Sequence, residues 1–78
     1  MAIDVLVKFD IYHDGEPWCA RGIRVDIFTQ GGTMDELNDN LKEAVEIHFD
    51  DELNSGEDIK VVSISEFEVK SIVKATGG

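Results

Sequence analysis

Apolar and polar residues alternate along the start of the chain. Ile3, Val5, Val7, Phe9 and Ile11 hold the odd positions, with Asp4, Leu6, Lys8 and Asp10 between them. A strand turns successive side chains to opposite faces, so this run predicts a β-strand with one buried face. His13-Asp14-Gly15-Glu16 interrupts the pattern, and Asp-Gly suits the positive backbone angles of a hairpin turn. Pro17 to Gly22 predicts a second strand, with Trp18 and Ala20 on one face and Cys19 and Arg21 on the other. Pro17 stands at its start, where a missing donor is tolerated. Ile23, Val25 and Ile27 then stay in phase as far as Phe28, which predicts a third strand and an antiparallel meander of three.

The period changes at Thr33. Thr33-Met34-Asp35-Glu36 fits a capping box, in which the threonine oxygen accepts from a free backbone N–H and the glutamate reaches back. Met34, Leu37, Leu41, Ala44, Val45 and His48 follow at spacings of three or four, with Asp35, Asn38, Asp39, Lys42, Glu43 and Glu46 opposite them, which predicts a helix lying on the sheet. Asp50, Asp51 and Glu52 carry the wrong sign for the C-terminal end of that helix, so fraying is expected there. Asn54-Ser55-Gly56 is a stop signal. Lys60 to Val69 returns to strand chemistry, but Val62 and Ile64 are even while Phe67 and Val69 are odd, which predicts a bulge or bend near Ser65-Glu66. The expected fold is α+β, in the order β-β-β-α-β: three antiparallel strands, one helix packed on them, and a C-terminal strand. It forms a single domain over 1–78 with a frayed tail at 73–78.

Charge narrows the possible functions. The 78 residues carry 17 Asp plus Glu against 7 Lys plus Arg, a net charge of −10, and the cations are scattered without a run. This lacks the positive footprint of a nucleic-acid-binding surface and favours a basic partner. A chain this short buries only about 60% of the surface it exposes when unfolded, which leaves little room for a deep catalytic cleft. Cys19 is the only cysteine, so no internal disulfide is possible, in keeping with a reducing cytoplasm. No apolar run approaches a membrane span or a signal peptide.

Four patterns are candidates for chemistry. Gly31-Gly32 ahead of a helix could cradle a phosphate, but the lysine and hydroxyl of a P-loop and the three spaced glycines of a dinucleotide site are missing, so a tight turn feeding the Thr33–Glu36 cap is expected. Asp50 to Asp58 offers carboxylates, yet the sixth and twelfth places of a calcium loop hold Ser55 and Val61 rather than glycine and glutamate. Nothing in the spacing brings His13 or His48 to Cys19 as a nucleophile pair. Catalytic, cofactor-binding and metal-binding residues are therefore expected to be none. Trp18, Arg21 and Phe28 form a candidate protein-binding surface, with Trp18 equally able to be a packing aromatic beneath the helix. An exposed edge strand also favours homodimerisation.

In order, W-C-A-R, D-I-F-T-Q-G, T-M-D-E-L and N-L-K-E-A-V-E-I-H-F, from Trp18 to Phe49, resemble the HicB family of antitoxin-like domains. There a Tyr or Trp, x, Ala strand precedes a T-Q-G turn, a T-x-x-E-A or T-x-D-E-L cap, and an N-L/I-K/R-E-A-V/I-E helix. The resemblance spans roughly residues 3 to 70. It implies a partial ribonuclease H-like β-β-β-α-β domain, related to double-stranded-RNA-binding-like topologies, that associates as dimers or tetramers. It also implies a cytoplasmic, non-enzymatic role: covering and neutralising a small basic RNA-cleaving toxin of the HicA type. With the chain ending at Gly78, no C-terminal DNA-binding segment is expected. Gly22 to Ile27 replaces the P-D-L-P-G-C loop of many members, which places the sequence with the short, stand-alone UPF0150-type relatives. The alternative is a stand-alone homo-oligomeric domain with another protein or a small-molecule partner.

Overall fold

The computed structural model of the chain describes residues 5–73. Strand β1 (Val5–His13) leads through the turn to β2 (Trp18–Ile23), then to a short β3 (Phe28–Gly31), the helices α1 (Met34–His48) and α2 (Asp50–Asn54), and finally β4 (Ile59–Ser65). The sheet order is β3-β2-β1-β4, with β2 antiparallel to both neighbours and β4 parallel to β1. The α+β class and the three-strand meander agree with the sequence pattern. Ile3 lies outside the described residues, as does all of the expected frayed tail except Val73.

The hairpin between β1 and β2 closes where Asp14-Gly15 indicates. The Asp14 N–H donates to the Pro17 carbonyl at 3.0 Å, and Gly15 takes φ 69°. His13 Nε2 stands 2.9 Å from the Glu16 carbonyl, which can only accept, so the ring donates and closes the turn. The odd residues of β1 face the helix: Val7, Phe9 and Ile11 are buried, with Ala20 opposite Ile11. Leu37, Leu41 and Val45, one stripe of α1, close the core from above, and Val5, Trp18, Val25, Ala44, Phe49 and Ile59 pack around it.

Three boundaries differ from the sequence pattern. The third strand is not Ile23–Phe28 but Phe28–Gly31, because the chain folds back over Gly22. The Gly22 N–H donates to the Ile27 carbonyl at 2.8 Å, and a Cβ on Gly22 would lie 2.4 Å from both Val25 Cγ1 and the Val25 carbonyl oxygen. Arg24, at φ 65°, occupies the left-handed corner of that connection. Val25 and Ile27 therefore reach the core from a loop and not from a strand face.

Second, Asp50–Glu52 do not fray the end of α1. The helix breaks at Phe49 (φ −107°, ψ 30°), and the three acids form the first turn of α2, where their sign is favourable. Glu57 N–H to Glu52 carbonyl (3.0 Å) and Gly56 N–H to Leu53 carbonyl (3.2 Å), with Gly56 at φ 87°, close α2 in a Schellman motif at the expected stop signal. Third, β4 does not run on to Val69 through a bulge or bend. It ends at Ser65, and residues 66–73 leave the body without regular structure.

Candidate functional site

Gly31, Gly32 and Thr33 link β3 to α1 in a tight connection. Leu37 of α1 crosses directly over Gly31, where a Cβ would lie 2.5 Å from the Leu37 nitrogen. The Glu36 N–H donates to Thr33 Oγ1 at 3.1 Å, and Asn40 Nδ2 donates to the Gln30 carbonyl at 2.8 Å, so the helix start is tied both to its cap and to β3. The Glu36 carboxylate lies beside Gly32, 3.7 Å from where a Cβ would stand. One N–H at this end thus donates to a hydroxyl of the chain itself, with a carboxylate close by.

The thiol and the imidazoles stay apart. Cys19 is buried on the sheet face away from α1, opposite Tyr12, while His13 pairs with Trp18 on the other face, ring centroids 4.6 Å apart. His48 is exposed at the end of α1 beside Phe49. Among the described residues, no group of three or more His, Cys, Asp or Glu side chains is placed to hold a metal ion, and no helix is long and apolar enough to cross a membrane.

Trp18, Arg21 and Phe28 do not share one surface. Trp18 is half-buried on the helix side against the core. Arg21 and Phe28 are register partners on the opposite, open face, both exposed. Leu6, Lys8 and Asp10 of β1, Ile23 of β2, and Lys60, Val62 and Ile64 of β4 share that open face by register. Arg21 lies over the Tyr12 ring, its guanidinium carbon 5.4 Å from the centroid. The sequence signal for this face was the set of even positions in β1 and β4, which interleave cations with exposed aliphatics.

The helices have the opposite character. Five carboxylates on α1 and three on α2 accompany a single lysine, Lys42. Asp35, Asp39 and Glu43, four residues apart, form an exposed acidic ridge along α1. The three cations of the open face, Lys8, Arg21 and Lys60, share it with one carboxylate, Asp10. The described residues are therefore electrically two-sided, with negative charge concentrated on the helices.

The chain is similar to a UPF0150 protein of Archaeoglobus fulgidus, 38% identical over 45 residues that make up 58% of this chain and 68% of that one. It belongs to the UPF0150 family. This is the HicB-like family that the motifs between Trp18 and Phe49 resemble. No family model and no solved structure matches the chain. In this UPF0150 domain, the concentrated charge of the helices and the exposed apolar residues of the open face are the most prominent surface features.

Proposed function

We propose that this UPF0150 domain is a non-enzymatic antitoxin module that binds and neutralises a small basic RNA-cleaving protein. The observation that carries the reading is the acidic ridge of α1, continued by the first turn of α2, on a chain of net charge −10. Membership of the HicB-like family supports it. A cationic RNA-cleaving protein binds phosphates with surface lysines and arginines. A rigid ridge of carboxylates competes for those side chains, speeds encounter through long-range attraction, and blocks the path of RNA once docked. The α1 helix suits this task because its opposite stripe is fixed in the core by Leu37, Leu41 and Val45, so the carboxylates are presented without a cost of ordering a loop.

Co-expression tests the reading. A small basic protein encoded beside this chain should arrest growth when expressed alone and be relieved when the chain is expressed with it. Unrelieved arrest with both proteins soluble and abundant would overturn the proposal.

A second reading rests on a separate observation, the exposed Leu6, Phe28, Val62 and Ile64 beside three cations on the open face. It is a stand-alone oligomeric domain that uses this face for another protein or a small molecule. Persistence of the chain's function after replacement of Asp39 and Glu43, with loss after Phe28→Ala, would favour it.

A further inference from the structure

Residues 66–73 are an arm whose root is held to the body by the Glu66 N–H bond to the Ile11 carbonyl and lies near Tyr12, His13 and Trp18, and whose apolar side chains stay largely in solvent. Phe67, Val69, Ile72 and Val73 are 82%, 81%, 95% and 80% exposed, and the radius of gyration is 17.0 Å where a compact chain of this length has about 11 Å. Next to the arm's root lies β4, the edge strand of the sheet. The Val5 N–H donates to the Asp58 carbonyl and the Glu66 N–H to the Ile11 carbonyl, so in this parallel ladder the even residues of β4 bond to β1. The backbone groups of Ile59, Val61, Ser63 and Ser65 point outward from the edge. Above the same strand, on the helix side, an apolar groove of ≈ 460 Å³ runs between α1, α2 and β4, lined by Leu41, Val45, Leu53, Ile59 and Val61 among others.

We propose that two copies of this chain exchange their arms. Residues 66–73 of each copy add antiparallel to the free edge of β4 of the other, about a two-fold axis at Glu66. Three features argue for this register. First, the eight residues of the arm cover positions 59–66 of the second copy without remainder, both segments spanning about 25 Å as strands. Second, odd residues pair with odd residues, so the outward backbone groups of Ile59, Val61, Ser63 and Ser65 bond to Val73, Ser71, Val69 and Phe67 of the second copy. Third, the side chains of Phe67, Val69 and Val73 fall on the helix side, beside Ile59 and Val61, and cover the open groove. The shift from even to odd apolar positions after Ile64 is then a change of the surface being covered: even residues belong to the open face, odd ones to the neighbour's groove. The pairing removes an exposed edge and an exposed apolar arm together.

The two Glu66 carboxylates meet at the axis and each copy carries −10, so salt strengthens this association, whereas it weakens docking of a basic partner. The ridge residues Asp39 and Glu43 do not line the groove, so failure of either proposal leaves the other testable.

Sedimentation of the full chain over a micromolar concentration series is expected to show a dimer that tightens with salt. Phe67→Asp/Val69→Asp is expected to weaken it at least about a hundredfold. The circular dichroism of the monomer should be unchanged, since both side chains are largely exposed in their own chain. Ile64 and Glu68 form a non-hydrogen-bonded pair in this register, with Cα atoms about 4.5 Å apart, within reach of a disulfide. Mixing the single variants Ile64→Cys and Glu68→Cys under oxidation should therefore give a covalent heterodimer. A wild-type chain monomeric throughout, a dimer indifferent to Phe67→Asp/Val69→Asp, or no heterodimer on mixing would overturn the proposal.

Discussion

Replacing Gly31 with alanine places a methyl group against backbone that cannot yield cheaply. The new Cβ would lie 2.5 Å from the Leu37 nitrogen, 2.8 Å from the Leu37 Cα and 2.9 Å from the Glu36 carbonyl carbon. Ordinary contact would require the first turns of α1 to withdraw by about 1 Å, more than a packed interior absorbs without cost. Withdrawal also opens the packing around Leu37, which is fully buried, and stretches the 2.8 Å bond from Asn40 to the Gln30 carbonyl. Overpacking of this kind costs about 1–3 kcal/mol, and the linked losses place Gly31→Ala near the top of that range, about 3 kcal/mol.

Gly32→Ala is the internal control. Its Cβ would meet only the Glu36 carboxylate, at 3.7 Å, and its φ lies outside the left-handed region, so it should be neutral or stabilising by up to about 1 kcal/mol. Urea unfolding followed by the fluorescence of Trp18, the register partner of Gly31, reads both variants at one protein concentration. With a slope of about 1 kcal/mol per molar urea, the Gly31→Ala midpoint should fall by about 3 M, a large part of the total stability of a domain this size. A midpoint equal to wild type, or no lower than that of Gly32→Ala, would refute the close crossing of α1 over β3.

Thr33→Ala removes the oxygen that accepts the Glu36 N–H and should cost about 1 kcal/mol in the same assay; an unchanged midpoint would show that this bond stabilises nothing. Arg24→Gly relieves a left-handed backbone at φ 65° but frees the unfolded chain, for a net gain of up to about 1 kcal/mol, and a lower melting temperature would contradict it. The repurified domain with added magnesium should leave single- and double-stranded RNA intact, and cleavage that co-purifies with the chain but not with a Phe9→Asp unfolded variant would end the non-enzymatic reading.

The parts of the fold that depend on local rules could be read in the sequence. The period-two run of β1, the Asp14-Gly15 turn, the Thr33 cap and the Leu37-Leu41-Val45 stripe each follow from neighbours within a few residues. The misplaced boundaries share a different cause. Ile23, Val25 and Ile27 keep strand phase, yet Gly22 lets Val25 fold onto it, and that contact is tertiary. Asp50–Glu52 look wrong as an ending and become right as a beginning once the helix breaks at Phe49, whose ring packs on the core. The parallel pairing of β4 with β1 left no mark on turn chemistry, because its connection runs through both helices. Of the candidate surface, Arg21 and Phe28 come together as cross-strand partners, whereas Trp18, three residues before Arg21 on the same strand, falls on the opposite face, against the core.

The central claim concerns what the acidic ridge of α1 does. Its most direct test is a titration of RNA cleavage by a small basic RNA-cleaving protein of the kind proposed as partner, sought in the reading frame beside this chain, against increasing amounts of the purified domain. Stoichiometric inhibition is expected that weakens with rising salt and is lost in Asp39→Lys/Glu43→Lys, a folded variant with the ridge reversed. Undiminished cleavage at excess domain, or inhibition that the reversed ridge leaves intact, would contradict the account.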